Sequence, residues 1–271
     1  MFEIKHLATP ESLEEAYHVL ISNRNNRILG GCAFLKMGNK LINYGIDLKA
    51  LGLNEIKATN GWIDIGATCT YGDLTQHPVL QQYAGGLIPK ALQPIVGVQF
   101  RNVVQVGASV FSRYSFSDFL PSLLVTDAEI SLFEAGRLSL QTFLQQPLTR
   151  DVLTAVHLPD RPIKASCQSL RVNASDLPLV NCAVAYHPAE QSWRVAVGSR
   201  PARAQRALDT ESYLNQCTVK SLRLTAEQID MAATKASEEL VFGDNARASA
   251  LYRQAMARVL VARGLREVTA C

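Results

Sequence analysis

The chain has 271 residues, 48% hydrophobic and 19% charged, enough apolar side chain to close a large core and to form two domains or one domain of two lobes. Its 27 basic and 24 acidic residues leave a net charge of +3 and are scattered, so no basic block points to nucleic acid or a membrane surface. The start, Met1-Phe2-Glu3-Ile4-Lys5-His6, has no positive region leading into an apolar core, and no run approaches the ~18 apolar residues of a membrane span. The chain therefore reads as soluble and cytoplasmic. Cys32, Cys69, Cys167, Cys182, Cys217 and Cys271 lie far apart without a C-x-x-C pair, which suits reduced thiols rather than a disulfide frame, a zinc site or an iron-sulfur site within this chain.

In chain order, Thr9-Pro10-Glu11 predicts a helix start, with Thr9 as acceptor and Pro10 at the first helical position. Leu13, Ala16, Tyr17 and Leu20 follow at helical spacing as its buried face. Asn25-Asn26 turns the chain into Arg27-Ile28-Leu29, a short strand ending on Gly30-Gly31-Cys32-Ala33. Two glycines let the main chain approach an anion that a Cβ would hold off; a plain tight turn fits the same residues. Ile46-Asp47-Leu48 reads as a strand, and Asn60-Gly61 between 56–59 and 62–67 signals a hairpin with a type I′ turn. Thr70 with Asp73 predicts a capping box before His77-Pro78, and a further helix covers 87–92.

Residues 100–121, FRNVVQVGASVFSRYSFSDFLP, pass from Arg101 and Asn102 through alternating Val104 and Val106 to Gly107, Ala108 and Ser109, closing on Ser117, Asp118 and Pro121. This predicts a strand, a small-residue turn and a helix start, a geometry in which N–H groups converge on an anion. A left-handed Ala108 would cost about 1–2 kcal/mol there. A helix through 123–125, a hairpin around Glu134-Ala135-Gly136 and a strand over 152–159 follow. Asp160-Arg161-Pro162 marks a boundary between domains at 1–160 (lobes about 1–54 and 55–160) and 161–271. Beyond it, 167–171, 179–186 and 193–198 predict a three-stranded antiparallel sheet. Helices follow over about 202–217, 225–240 (opened by Thr225 and Gln228) and 249–265 (stopped by Gly264), so the fold class is α+β.

The sequence holds no G-x-G-x-x-G after a strand, no Walker A loop, no H-E-x-x-H and no G-x-S-x-G. Asp73, Asp118 and Asp127 are available acids, but nothing in the spacing pairs them with a base or nucleophile. Asp118 reads as a helix cap or an acceptor for a ligand hydroxyl.

Several blocks together carry a resemblance. Gly30-Gly31-Cys32-Ala33-Phe34-Leu35 after a short strand, the block at 100–130, and DVLTAVHLP at 151–159 stand in this order. SDLPLVNCAVAY at 175–186 and DNARASALYRQAMARVLVARGL at 244–265 follow, the latter with D-x-R-x-S-x-x-Y-R at Asp244, Arg247, Ser249, Tyr252 and Arg253. The set resembles the FAD-binding subunit of molybdenum hydroxylases of the xanthine dehydrogenase and carbon monoxide dehydrogenase type. The resemblance implies a two-lobed FAD-binding domain of the vanillyl-alcohol oxidase (PCMH) type, followed by an α+β domain of the CO dehydrogenase flavoprotein type. It implies FAD as cofactor, with Leu29, Gly30, Gly31, Cys32 and Ala33 at a first phosphate loop and Phe34 beside them. Gln105, Gly107, Ala108, Ser109 and Ser112 would line a second loop, Asp118 would accept from the ribose hydroxyls, and Leu153 would lie against the flavin.

The implied activity is electron transfer without acid-base chemistry from this chain's side chains. A molybdopterin-binding subunit and a 2Fe-2S subunit would be partners, and NAD or another acceptor would take the electrons. The alternative is a degenerate member with weak or no FAD binding that serves as a structural or assembly subunit, because Ala33, Val104 and Ala108 stand where the family carries acidic or polar residues and glycines. A free-standing flavin oxidoreductase is a third reading.

Overall fold

The computed structural model describes residues 2–147, 149–218 and 222–270. β1 (Glu3–Ala8), α1 (Leu13–Ser22), β2 (Arg27–Ile28) and β3 (Leu41–Ile46) open the chain, the strands forming a parallel sheet in the order β1-β3-β2. The helix is capped by Ser12, not Thr9: the Ser12 hydroxyl accepts the Glu15 N–H at 3.1 Å. Ala16 and Leu20 pack with Ile46, Leu48 and Val152 into a small core. β3 ends at Ile46 instead of running over 46–48, because the Asp47 carboxylate accepts the Lys49 N–H at 3.0 Å and starts a turn.

β4 (Ile56–Thr59) and β5 (Trp62–Gly66) form the hairpin read from the sequence, with positive φ at Asn60 and Gly61. The reciprocal bonds of Thr70 and Asp73 open α2 (Tyr71–Gln76), which is followed by α3 (Pro78–Gln82) and α4 (Leu87–Leu92). Residues 100–121 depart from expectation, since they contribute to α5 (Gly97–Arg101), α6 (Val106–Ser112) and α7 (Phe119–Val125). Residues 103–106 form no strand, only an isolated antiparallel bridge between Thr70 and Gln105. The Tyr71 N–H donates to the Val104 carbonyl at 3.0 Å and the Val106 N–H to the Cys69 carbonyl at 2.9 Å. The ladder cannot lengthen because its partner coils into α2 at Tyr71.

β6 (Glu129–Leu132), β7 (Gly136–Ser139), α8 (Leu140–Gln145) and β8 (Leu153–Pro159) complete a five-stranded antiparallel sheet, ordered β4-β5-β8-β6-β7. Ile63, Ile65, Ile130, Leu132, Val156 and Leu158 are buried on one face, and the residues between them form the other.

Two compact units alternate along the chain. One comprises the chain up to Leu74, Gly97–Ser112 and Ala128–Pro159; the other comprises Thr75–Val96, Arg113–Asp127 and everything from Asp160 onward. In the second unit β9 (Lys164–Leu170), β10 (Val180–His187) and β11 (Ser192–Gly198) pair antiparallel as read from the sequence, and β12 (Gln205–Arg206) adds a fourth edge strand to the expected three. That extended stretch delays α9 (Leu208–Cys217) past its expected start near 202. α10 (Ala226–Glu239) begins on the Thr225–Gln228 capping box. α11 (Ala250–Ala270) runs through Gly264 instead of stopping there. A Cβ at Gly264 would lie 3.0 Å from Val184 Cγ2, so the missing side chain lets the helix settle on β10.

Every residue of β10 is buried. Val180, Cys182, Val184 and Tyr186 join Trp193, Val195 and Val197 in the core beneath α9, α10 and α11. Asn181 and His187 bond instead to α7 and the turn before it, Asn181 Nδ2 donating to the Ser117 carbonyl at 3.0 Å and His187 Nε2 to the Val125 carbonyl at 2.8 Å. The D-x-R-x-S-x-x-Y-R block anchors the start of α11. Asp244 accepts the Ala250 N–H at 2.7 Å, Ser249 accepts the Tyr252 N–H at 3.2 Å, and buried Arg253 donates to the Leu179 and Ser199 carbonyls and to Asn245.

The five described cysteines are free thiols, and Cys271 lies outside the described residues. Among the described residues no helix is long and apolar enough to cross a membrane. Trp193 is fully buried and its Nε1–H donates to Thr218 at 3.1 Å. Urea unfolding is expected to show Trp193→Ala costing about 3–5 kcal/mol, and Thr225→Ala, which removes only a cap, costing about 1 kcal/mol.

Candidate functional site

The glycine turn after β2 and the segment before α6 meet within the first unit. The contact is so close that side chains are excluded from the turn. A Cβ on Gly30 would lie 2.0 Å from the Ala108 Cβ, and one on Gly31 would lie 1.6 Å from the Val103 carbonyl oxygen. Gly31 has φ +80 and Cys32 has φ 57, so two successive residues are left-handed. The turn starts from Leu29, whose N–H donates to the Ile46 carbonyl at 2.8 Å, and it ends at a short 3-10 helix, Leu35–Met37. The Phe34 ring meets Phe100 edge to face, with centroids 6.1 Å apart.

This conformation leaves donors over. Among the described residues no acceptor takes the N–H groups of Gly30, Gly31, Cys32 and Ala33, although Ala33 is buried. Main-chain N–H groups that turn away from the protein's own acceptors suit an anion. Burial, with Asp47 nearby, raises the Cys32 thiol above its ordinary value, so the turn carries no side-chain negative charge at neutral pH.

The second segment is arranged differently. Its N–H groups are largely spent inside the protein: Val106 donates to the Cys69 carbonyl, Gly107 to the Ala67 carbonyl at 2.8 Å and Ser109 to the Gln105 carbonyl at 3.1 Å. Gly107 is required by packing, since a Cβ there would lie 2.8 Å from the Ala67 Cβ. The Ser109 hydroxyl bonds to the Tyr71 hydroxyl, and Ser112 ends α6. Ala108 sits in the helix with ordinary backbone, so the left-handed strain considered for it does not arise; its methyl fills the room that Gly30 vacates.

Asp118 belongs to the second unit, where its carboxylate is paired with Arg171 at 2.7 Å and accepts from Asn181 at 3.1 Å and Ser169 at 3.4 Å. Burial pushes this carboxyl up from its ordinary value, against the pull of the Arg171 guanidinium. Leu153 is buried at the start of β8, in register with Leu132. Of the other acids, Asp73 is a helix cap, and Asp127 is held by Arg161, Arg194 and Arg206 at 2.9–3.0 Å.

Sequence reasoning gave no role to Val103, whose carbonyl walls the turn, or to Asn102, whose Oδ1 lies 2.2 Å from where a Cβ on Gly72 would stand. No local pattern marks either contact.

Residues 2–161 match the family model of the FAD binding domain in molybdopterin dehydrogenase. The chain belongs to that family. Residues 165–268 match the CO dehydrogenase flavoprotein C-terminal domain, so the two matches together support an FAD-binding subunit of the molybdenum hydroxylase kind. Aldehyde oxidase 2 of Cavia porcellus is 29% identical over 124 residues, 40% of this chain and only 9% of that protein's length. The uncharacterized protein YgfM of Escherichia coli (strain K12) is 25% identical over 221 residues, 80% of this chain and 77% of the relative. In fold the chain is similar to reconstituted CO dehydrogenase from Oligotropha carboxidovorans, with a TM-score of 0.88 at 19% identity over 99% of this chain and 98% of that one.

The contact between Gly30 and Ala108 yields a direct test. Gly30→Ala is expected to destabilise by about 1–3 kcal/mol through overpacking. Ala108→Gly alone should cost about 1 kcal/mol as a helix glycine. The double variant should recover most of the first loss, seen as a coupling energy of about 1 kcal/mol or more in a denaturation cycle. Additive losses would mean that the two residues do not touch.

Proposed function

We propose that the chain is the FAD-binding electron-transfer subunit of a molybdenum hydroxylase complex with a xanthine dehydrogenase-like electron path. The observation that carries this reading is the set of four main-chain N–H groups, Gly30 to Ala33, left without acceptors among the described residues in a turn closed by two glycines. Such donors fit the anionic diphosphate of FAD. In this reading Gly30, Gly31, Cys32 and Ala33 bind the diphosphate, Leu29 and Phe34 flank it, and Gln105, Gly107, Ala108, Ser109 and Ser112 form the opposing wall. Asp118 would accept from the ribose, and Leu153 would back the flavin. In this reading the FAD-binding domain is of the PCMH type and covers residues 1–160, followed by a C-terminal domain from 161, a division supported by the family-model matches over 2–161 and 165–268.

Bound FAD would supply the redox chemistry, with a molybdopterin-binding subunit and a 2Fe-2S subunit as partners and NAD or another acceptor for the electrons. The chain's own work is to hold the cofactor with fixed main-chain dipoles, which need no reorganisation when charge moves.

A second reading, a structural or assembly subunit with weak FAD affinity, is favoured by one feature. Three of the five N–H groups from Gln105 to Ser109 are already paired within the protein. Titration with FAD separates the two. At ~100 times the dissociation constant, bound FAD should raise stability by about 2.7 kcal/mol, with flavin absorbance on the purified chain. Gly31→Ala should abolish that gain. A colourless protein that FAD does not stabilise would leave only the structural reading, and the absence of molybdopterin and 2Fe-2S subunits on co-purification would remove both.

A further inference from the structure

The face of the five-stranded sheet opposite its apolar core carries three side chains in a row. Ser131 Oγ lies 2.7 Å from His157 Nε2, and His157 Nδ1 lies 2.6 Å from Asp64 Oδ1. They come from three adjacent strands, β6, β8 and β5. Register aligns them: Asp64 stands opposite His157, and Ser131 lies two residues along β6 from Glu129, the other neighbour of His157. The period of two along each strand puts all three on the same face.

A hydroxyl can donate or accept, so the roles follow from the tautomer: with Nδ1–H donating to the Asp64 carboxylate, a neutral His157 presents its Nε2 lone pair to the Ser131 hydroxyl. Solvent reaches the row, with the Asp64 side chain 42% exposed and the His157 side chain 11% exposed. Arg137, in register opposite Ser131, spans the same face. Its guanidinium is paired with Glu129 at 2.5 Å and lies 4.1 Å from the Trp62 ring centroid. Cross-strand hydrogen bonds would hold the sheet together with any polar residues. The order carboxylate, imidazole, hydroxyl, with each distance inside hydrogen-bond reach, is the arrangement that converts a serine into a nucleophile.

We propose that Ser131 is a nucleophilic serine, activated by His157 and oriented by Asp64, that takes the acyl group of an activated carboxylic ester. Ser131 Oγ attacks the ester carbonyl carbon while its proton passes to His157 Nε2. The carbon–oxygen bond to the leaving alcohol breaks, and the alcohol departs with that proton. Water, giving a proton to His157, then attacks the acyl-serine; the acid is released and the Ser131 hydroxyl restored. No oxidant or metal enters the balance. Asp64 acts through His157 and is a positioning residue.

The test treats the full chain with a fluorophosphonate probe, in which Oγ attacks phosphorus and fluoride leaves, and maps the adduct by mass spectrometry. General-base assistance should make Ser131 label roughly 100-fold faster in the folded protein than in the urea-unfolded chain. Ser131→Ala should remove the adduct, and Asp64→Asn should slow it about tenfold or more and shift its pH profile, with p-nitrophenyl acetate showing a stoichiometric burst only when Ser131 is present. Equal labelling of folded and unfolded wild-type chain would overturn the proposal without recourse to any variant. So would an adduct on another serine that persists in Ser131→Ala.

Discussion

The near-contact of two backbones, residues 30–31 against 103–108, is the constraint on which the glycine turn of the first unit depends. Side chains at 30 or 31 would have to occupy space already taken by the Val103 carbonyl and the Ala108 methyl. With glycine at both positions, the turn can double back through two left-handed residues, and four of its N–H groups meet no acceptor among the described residues. The turn follows from backbone geometry more than from any side chain. Ala108 and Cys32 both fit, the first in room left by Gly30 and the second as a neutral thiol.

The two walls of this contact do different work. The first loop is rich in free donors, whereas the second is stitched to the end of β5 and the start of α2 through Ala67, Cys69 and Tyr71. A firmly bonded wall against the glycine turn limits the conformations the turn can take. Preorganised dipoles cost nothing further when charge is brought to them.

In the second unit several polar groups also serve architecture. Arg253 satisfies carbonyls at the ends of two strands, Asp118 is tied to Arg171, and Asp127 gathers three guanidinium groups. Asp127, His187 and Glu190 lie close enough to suggest a cation site, but the three arginines on Asp127 and the two on Glu190 already supply the positive charge. The other face of the first unit's sheet is a different case, because its Ser131, His157 and Asp64 are bonded in a row whose Asp64 end is exposed. One sheet thus holds a packed apolar face and a face free to carry chemistry, and function is a property of such sites more than of the fold.

Local chemistry was enough to determine much of this protein from its sequence. The Asn60-Gly61 hairpin, the Thr70 and Thr225 caps, the strands of the second sheet and the Gly30-Gly31 turn are all set by residues within a few positions of one another. The ordered blocks also sufficed to place the chain in its family. Only the tertiary structure decided the rest. It coiled 106–112 into a helix because α2 leaves Val104 and Gln105 a single bridge, and it ran α11 through Gly264 because Val184 needed the space. It also drew Thr75–Val96 and Arg113–Asp127 into the second unit. The meeting of Gly30 with Ala108, and of Asp64 with Ser131 and His157, joins residues far apart in the chain. Sequence spacing encodes periodicity along one element and not which strands become neighbours, so these contacts exist only once the sheets have formed.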